Sequence, residues 1–91
     1  MKKIIWETPE ETILDLANRV KRIRKRRKIS QEELAIKSDV SFGSIKRFES
    51  TGQISLISLV KITYALDLID EIKNLFTNVE YKSIDEVLND D

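Results

Sequence analysis

The 91-residue sequence predicts an all-α fold, a compact bundle of about five helices with short extensions at both ends. Two observations predict it. A Ser or Thr followed three residues later by Glu, the capping box that satisfies the free amides of a first helical turn, occurs at Thr8 and Glu11, Ser30 and Glu33, and Ser83 and Glu86. Between these marks apolar residues recur at intervals of three and four, the period of a helix with one buried face.

The first helix opens at Thr8-Pro9-Glu10-Glu11, where a capping hydroxyl precedes a proline at the first helical position. Ile13, Leu16, Ala17, Val20 and Ile23 form its inward stripe, Arg19, Arg22 and Arg26 fan outward, and it is expected to end near Lys28. A short second helix follows Ser30 and runs to about Ser38, with Leu34, Ala35 and the stem of Lys37 on its buried side. Asp39-Val40-Ser41 interrupts it. Ser41 caps a third helix that continues to about Ser50, with Ile45 and Phe48 on one face and Phe42, Gly43, Lys46 and Arg47 largely on others. Thr51-Gly52 stops it, glycine being the usual residue just past a helix end. Ser55 caps a fourth helix, and Leu56, Leu59, Val60, Ile62, Thr63 and Leu66 make it apolar over more than half its circumference, which predicts a place in the middle of the bundle. After Asp67, the residues Leu68, Ile72, Leu75 and Phe76 keep helical spacing, as a fifth helix or as a bent extension of the fourth.

Residues 2–6 and 79–81 are β-prone, and the capping box at Ser83 opens a short terminal helix. These pieces are either frayed ends or arms that pair or dock. The expected organisation is an extended arm over residues 1–8, a helical domain over 9–76 and an acidic extension over 77–91.

Composition narrows the function. Without Cys or His the chain lacks disulfides, thiolate metal sites and the commonest general base, so no metal site and no cofactor are expected. The same absences suit the cytoplasm. Asp67, Asp70 and Glu71 cluster without a nucleophile or His beside them and read as helix caps and solvated acids, which argues against an enzyme. Two glycines leave little room for a phosphate-cradling loop. No apolar run approaches membrane-spanning length, and the apolar stripe of the basic first helix is already needed by the core, so no membrane partner is expected.

The formal net charge is zero, but its distribution is polar along the chain. Residues 1–28 carry ten Lys or Arg against four Asp or Glu, residues 29–66 four against four, and residues 67–91 two against eight. From Arg19 to Lys28, eight of ten positions are cationic. Such a block is a solvated helix face or an anion-binding one.

Two short helices joined by a turn of about three residues, set among three others, form a helix-turn-helix arrangement spanning roughly Gln31 to Ser50. Arg22-Ile23-Arg24, Ser30-Gln31-Glu32-Glu33-Leu34-Ala35, Val40-Ser41, Ile45, Glu49 and Leu59-Val60-Lys61-Ile62-Thr63-Tyr64-Ala65-Leu66 resemble, in residue type and spacing, the lambda-repressor-like family, also called the XRE or Cro/C1 type. The resemblance covers roughly residues 16–76. It departs from the family at the turn, where Asp39 replaces the usual Gly but can adopt a left-handed conformation more readily than most residues. It departs again at Phe42-Gly43, where the family often has Arg or Lys, and Gly43 weakens the helix by ~1 kcal/mol relative to Ala.

The resemblance implies a sequence-specific transcriptional regulator, a repressor by expectation, that binds a palindromic double-stranded operator as a homodimer. Its recognition helix, at about residues 41–50, would enter the major groove. Carried over residue by residue, Phe42, Gly43, Ser44 and Arg47 correspond to groove-facing positions. Arg47 is suited to guanine and Phe42 to a thymine methyl, although Phe42 also reads as a core residue and Arg47 as a solvated cation. Gln31, Ser41, Lys46, Arg26, Arg27 and Lys28 correspond to phosphate contacts, with Gln31 alternatively a polar first-turn residue. Arg24 and Glu49 match a structural pair that bridges the first and third helices as a partly buried salt bridge. A lone domain with a β-prone N-terminal run and an acidic C-terminal extension is also similar to HipB-type antitoxins, which bind an operator and hold a toxin as protein partner.

Overall fold

Hydroxyl side chains start four helices in the computed structural model, which describes residues 7–78. The described residues form five helices, in order α1 (Pro9–Arg26), α2 (Gln31–Ser38), α3 (Phe42–Thr51), α4 (Leu56–Ala65) and α5 (Ile69–Lys73). Thr8, Ser30, Ser41 and Ser55 each accept a hydrogen bond from the amide three residues on. At Thr8 and Ser30 the returning glutamate completes a capping box. Only α5 begins without a side-chain cap. The fold is all-helical, with no strand among the described residues. The β-prone runs and the capping box at Ser83 lie outside them.

Three helices end on a non-glycine residue in the left-handed region, Lys28 at φ 56°, Asp39 at φ 57° and Asp67 at φ 56°. Each reversal lets the following amide bond back to a helix carbonyl that would otherwise lack a partner. Ile29 N–H donates to Arg24 O at 3.2 Å, Val40 N–H to Ala35 O at 3.3 Å, and Leu68 N–H to Thr63 O at 2.7 Å. Asp39 thus makes the helix-turn-helix turn, and α1 stops at Arg26, slightly short of Lys28. Asp67 separates α4 from α5, so the second apolar segment is a helix of its own. Asp67, read from the sequence with Asp70 and Glu71 as helix caps and solvated acids, ends α4 and does not cap α5, whose N-cap is Leu68.

The fourth turn needs glycine. Gly52 sits at φ 83°, and a Cβ there would lie 2.8 Å from the backbone carbon and oxygen of Ile13. This close approach seats the end of α3 on α1.

α1 packs against α3, α2 against both α3 and α4, and α5 against α4. Ala17, Val20, Leu34, Val40, Ile45, Phe48, Ile62 and Leu66 form the buried core. Each fully buried aliphatic or aromatic side chain contributes about 1.5–3 kcal/mol of transfer free energy. Three expectations fail here. Leu16, expected on the inward stripe of α1, is exposed. Lys37 is exposed, because Ser38 takes the buried position on α2 and turns its hydroxyl onto Leu34 O at 2.6 Å. The fourth helix does not lie in the middle of the bundle. It buries Ile62 and Thr63 but leaves Leu56 74%, Ile57 64% and Tyr64 61% exposed, since among the described residues no helix covers its outer side.

Candidate nucleic-acid interface

α3 has two faces with separate tasks. Ile45, Phe48 and Glu49 are buried toward the core, while Phe42, Gly43, Lys46 and Arg47 are exposed on its outer side and Ser44 is half-buried. A Cβ on Gly43 would meet nothing within 4 Å, so this position opens onto free space. Ser41 accepts the Ser44 amide at 3.1 Å and donates its hydroxyl to Ser44 Oγ at 2.8 Å, which steadies the turn weakened by Gly43. Phe42 stays out of the core at 40% exposure, and its ring lies 5.3 Å from Lys46 Nζ. That cation–π contact holds the aromatic flat under the ammonium at modest cost to either partner.

Behind this face the structure brings Arg24 of α1 and Glu49 of α3 together. Arg24 donates from Nε to Glu49 Oε2 at 2.7 Å and from Nη2 to Oε1 at 2.9 Å, with side-chain exposures of 8% and 3%. Its remaining Nη1 donates to Ile29 O at 2.7 Å, pinning the link between α1 and α2. Gln31, first residue of α2, donates from Nε2 to Glu49 Oε1 at 2.9 Å. Burial alone would push the Glu49 carboxyl up, but the bonds from Arg24 and Gln31 and the attraction of Arg24 and Lys21 carry it below its ordinary value of 4.5. One carboxylate therefore joins three helices. A bidentate, fully hydrogen-bonded pair is the form in which a buried ion pair recovers its desolvation cost.

The Gln31 side chain is thus turned partly inward, leaving one amide N–H and its carbonyl for other use. The basic end of α1 lies close by along the chain. Arg26, Arg27 and Lys28 are exposed; Arg27 Nη1 lies 3.9 Å from Asp67 Oδ2, an exposed pair worth little against solvent screening. Lys61 of α4 makes a similar loose contact at 3.9 Å with Asp39 of the turn.

The structure adds residues that the sequence reading did not single out. A shallow hollow of about 330 Å³ beside α3 is lined by Ser44, Arg47, Gln53, Ile54, Ser55 and Ser58. Arg47 Nη2 donates to Gln53 Oε1 across it. The signal for Gln53 was slight, a polar residue between a helix-ending Gly and an apolar Ile, in a loop too short to leave α3.

A helix-turn-helix family model matches residues 20–70, which covers α2, α3, α4 and the basic half of α1. The chain belongs to the lambda-repressor-like helix-turn-helix family. No curated protein and no solved structure matches it. Members of this family bind double-stranded DNA to regulate transcription, and the chain is a DNA-binding regulator in that general sense. The family is not typically enzymatic. Among the described residues no helix is long and apolar enough to cross a membrane.

Proposed function

We propose that the chain is a sequence-specific repressor that binds a palindromic operator as a homodimer, with α3 in the major groove. The observation that carries this reading is the division of α3. Its inner face is fully used by the core and by Arg24, whereas Phe42, Gly43, Ser44 and Arg47 serve no packing need that would explain them. Those four residues read base edges, Arg47 through acceptors of guanine and Phe42 through a thymine methyl. Ser41, Lys46, Gln31, Arg26, Arg27 and Lys28 meet phosphates, fixing register and adding salt-dependent affinity.

The dimer is supported by α4. Leu56, Ile57, Val60 and Tyr64 make an apolar, uncharged outer stripe, so two copies can meet on it without opposing like charges. A two-fold pair would present two α3 helices to half-sites about 34–36 Å apart. Selection of duplexes from a random library by the purified chain, at near-physiological salt, tests the reading. A two-fold palindrome is expected. Binding that depends on salt but not on sequence would overturn it.

A second reading, an antitoxin or other interaction protein that uses its extensions to hold a protein partner and its α3 for autoregulation, draws on the end of the described chain. Leu75 and Phe76 are 54% and 92% exposed just before the acidic residues 79–91. A toxin encoded beside this chain and co-purifying with it would favour that reading.

A further inference from the structure

We infer that Gln53 is a positioning residue for Arg47, so that the two side chains read a guanine as one unit; the inference rests on the base-reading function proposed above.

Gln53 sits in a loop whose backbone is fixed on both sides. Before it, Gly52 is pressed onto the backbone of Ile13 at φ 83°. After it, Ile54 is half-buried against the core. Its own amide donates to Thr51 Oγ1 at 3.1 Å, and the Thr51 hydroxyl donates to the Arg47 carbonyl at 2.6 Å. The backbone of residue 53 is therefore keyed to the helical turn that carries Arg47.

The side-chain bond uses this placement. Arg47 Nη2 donates to Gln53 Oε1, which holds one edge of a guanidinium that would otherwise sample many rotamers. Arg47 keeps four of its five N–H donors, and the Gln53 amide keeps both of its own. Gln53 Oε1 is turned toward Arg47, and the Ser44 oxygen at the hollow's edge already accepts from Ser41. What faces outward is thus rich in donors. Guanine offers two major-groove acceptors, N7 and O6, side by side, whereas adenine puts an N6 donor in the second place and cytosine a donor alone. A donor-rich, pre-oriented pair favours guanine, because adenine and thymine each offer one major-groove acceptor and cytosine none. Ordering Arg47 before binding also removes a cost that a free arginine meets on contact.

The test uses the full chain, the duplex selected by it and that duplex with the guanine of each half-site replaced. Four proteins are compared, the parent, Arg47→Ala, Gln53→Met and Gln53→Glu. Gln53 is exposed, so helix content by circular dichroism should be unchanged in both of its variants. The parent should prefer guanine by roughly tenfold or more, and Arg47→Ala should lose the preference. Gln53→Met, matched in length but without the acceptor, should lose most of it. Gln53→Glu, which restores the acceptor, should keep the preference while binding every duplex more weakly through its added negative charge. If Gln53→Met keeps the parent's preference while Arg47→Ala loses it, Gln53 does not position Arg47 and the inference falls alone. If Gln53→Met weakens all duplexes equally, Gln53 contacts backbone and the inference again falls. If Arg47→Ala leaves the preference intact, the base-reading role of Arg47 falls and takes the inference with it.

Discussion

The α2–α3 unit and the α4–α5 unit share one core but finish their surfaces differently. α2 and α3 are each capped by a serine and closed by a left-handed residue; the buried Arg24–Glu49 pair ties α3 to α1, and Gln31 ties α2 to that pair. In α4 and α5 the second helix has no side-chain cap and no buried residue, and Leu56, Ile57, Tyr64, Leu75 and Phe76 all stand more than half exposed. The contrast teaches that α2 and α3 are completed by hydrogen bonds and leave Ile36 and Phe42 as their exposed large apolar side chains, while the other half carries a larger apolar surface that no described residue covers.

That contrast can be broken hardest at the ion pair. Arg24→Ala should lower the free energy of unfolding, read by urea titration, by about 3–5 kcal/mol, because it strands a buried carboxylate. The double change Arg24→Met with Glu49→Leu should recover most of the loss. Gly52→Ala should cost roughly 2–4 kcal/mol in the same titration, combining a left-handed β-carbon with a clash on Ile13.

Acid should probe the same pair more gently. A carboxyl held below its ordinary value of 4.5 contributes stability that is complete above that pH and is lost as pH falls through the lowered value. Glu11 and Glu33, held down by the backbone amides of Thr8 and Ser30, add in the same direction, while Glu7, raised by its bond with Asp15, opposes them. Melting followed from pH 6 downward should show stability falling near and below ~4.5, and Glu49→Gln should flatten part of that fall. At the buried Arg24–Glu49 pair, a charge-assisted hydrogen bond carries about 1.5–3 kcal/mol.

Smaller changes sharpen the comparison. Asp39→Gly should raise stability by about 0.5–1 kcal/mol, the relief of left-handed strain less the extra freedom of glycine in the unfolded chain. On the other half, Leu56→Lys should shift unfolding by no more than ~0.5 kcal/mol, because the side chain is exposed within one chain. The same variant should nevertheless sediment as a monomer where the parent sediments as a dimer.

Sequence made the local features legible and the long-range ones less so. Hydroxyl caps at Thr8, Ser30, Ser41 and Ser55 depend on neighbours three residues away, and each starts a helix where the pattern places it. Periodicity alone could not separate α5 from α4, since it is blind to whether Asp67 takes a helical or a left-handed φ. It also overstated the burial of α4, because counting apolar positions does not show whether another helix exists to cover them. The bond from Gln31 to Glu49 spans eighteen residues, and the tie from Arg47 to Gln53 crosses a helix end, so neither follows from a local rule.

Glu49 receives bonds from α1 and α2 while belonging to α3. Opening any one of these helices therefore exposes the charges of the others, so the three should exchange their amide hydrogens as a single cooperative unit, while uncapped α5 opens on its own at lower free energy. If α3 reads DNA as proposed, being locked into such a unit means that it would meet DNA already folded. Its encounter rate would then be set by diffusion rather than by waiting for a helix to form.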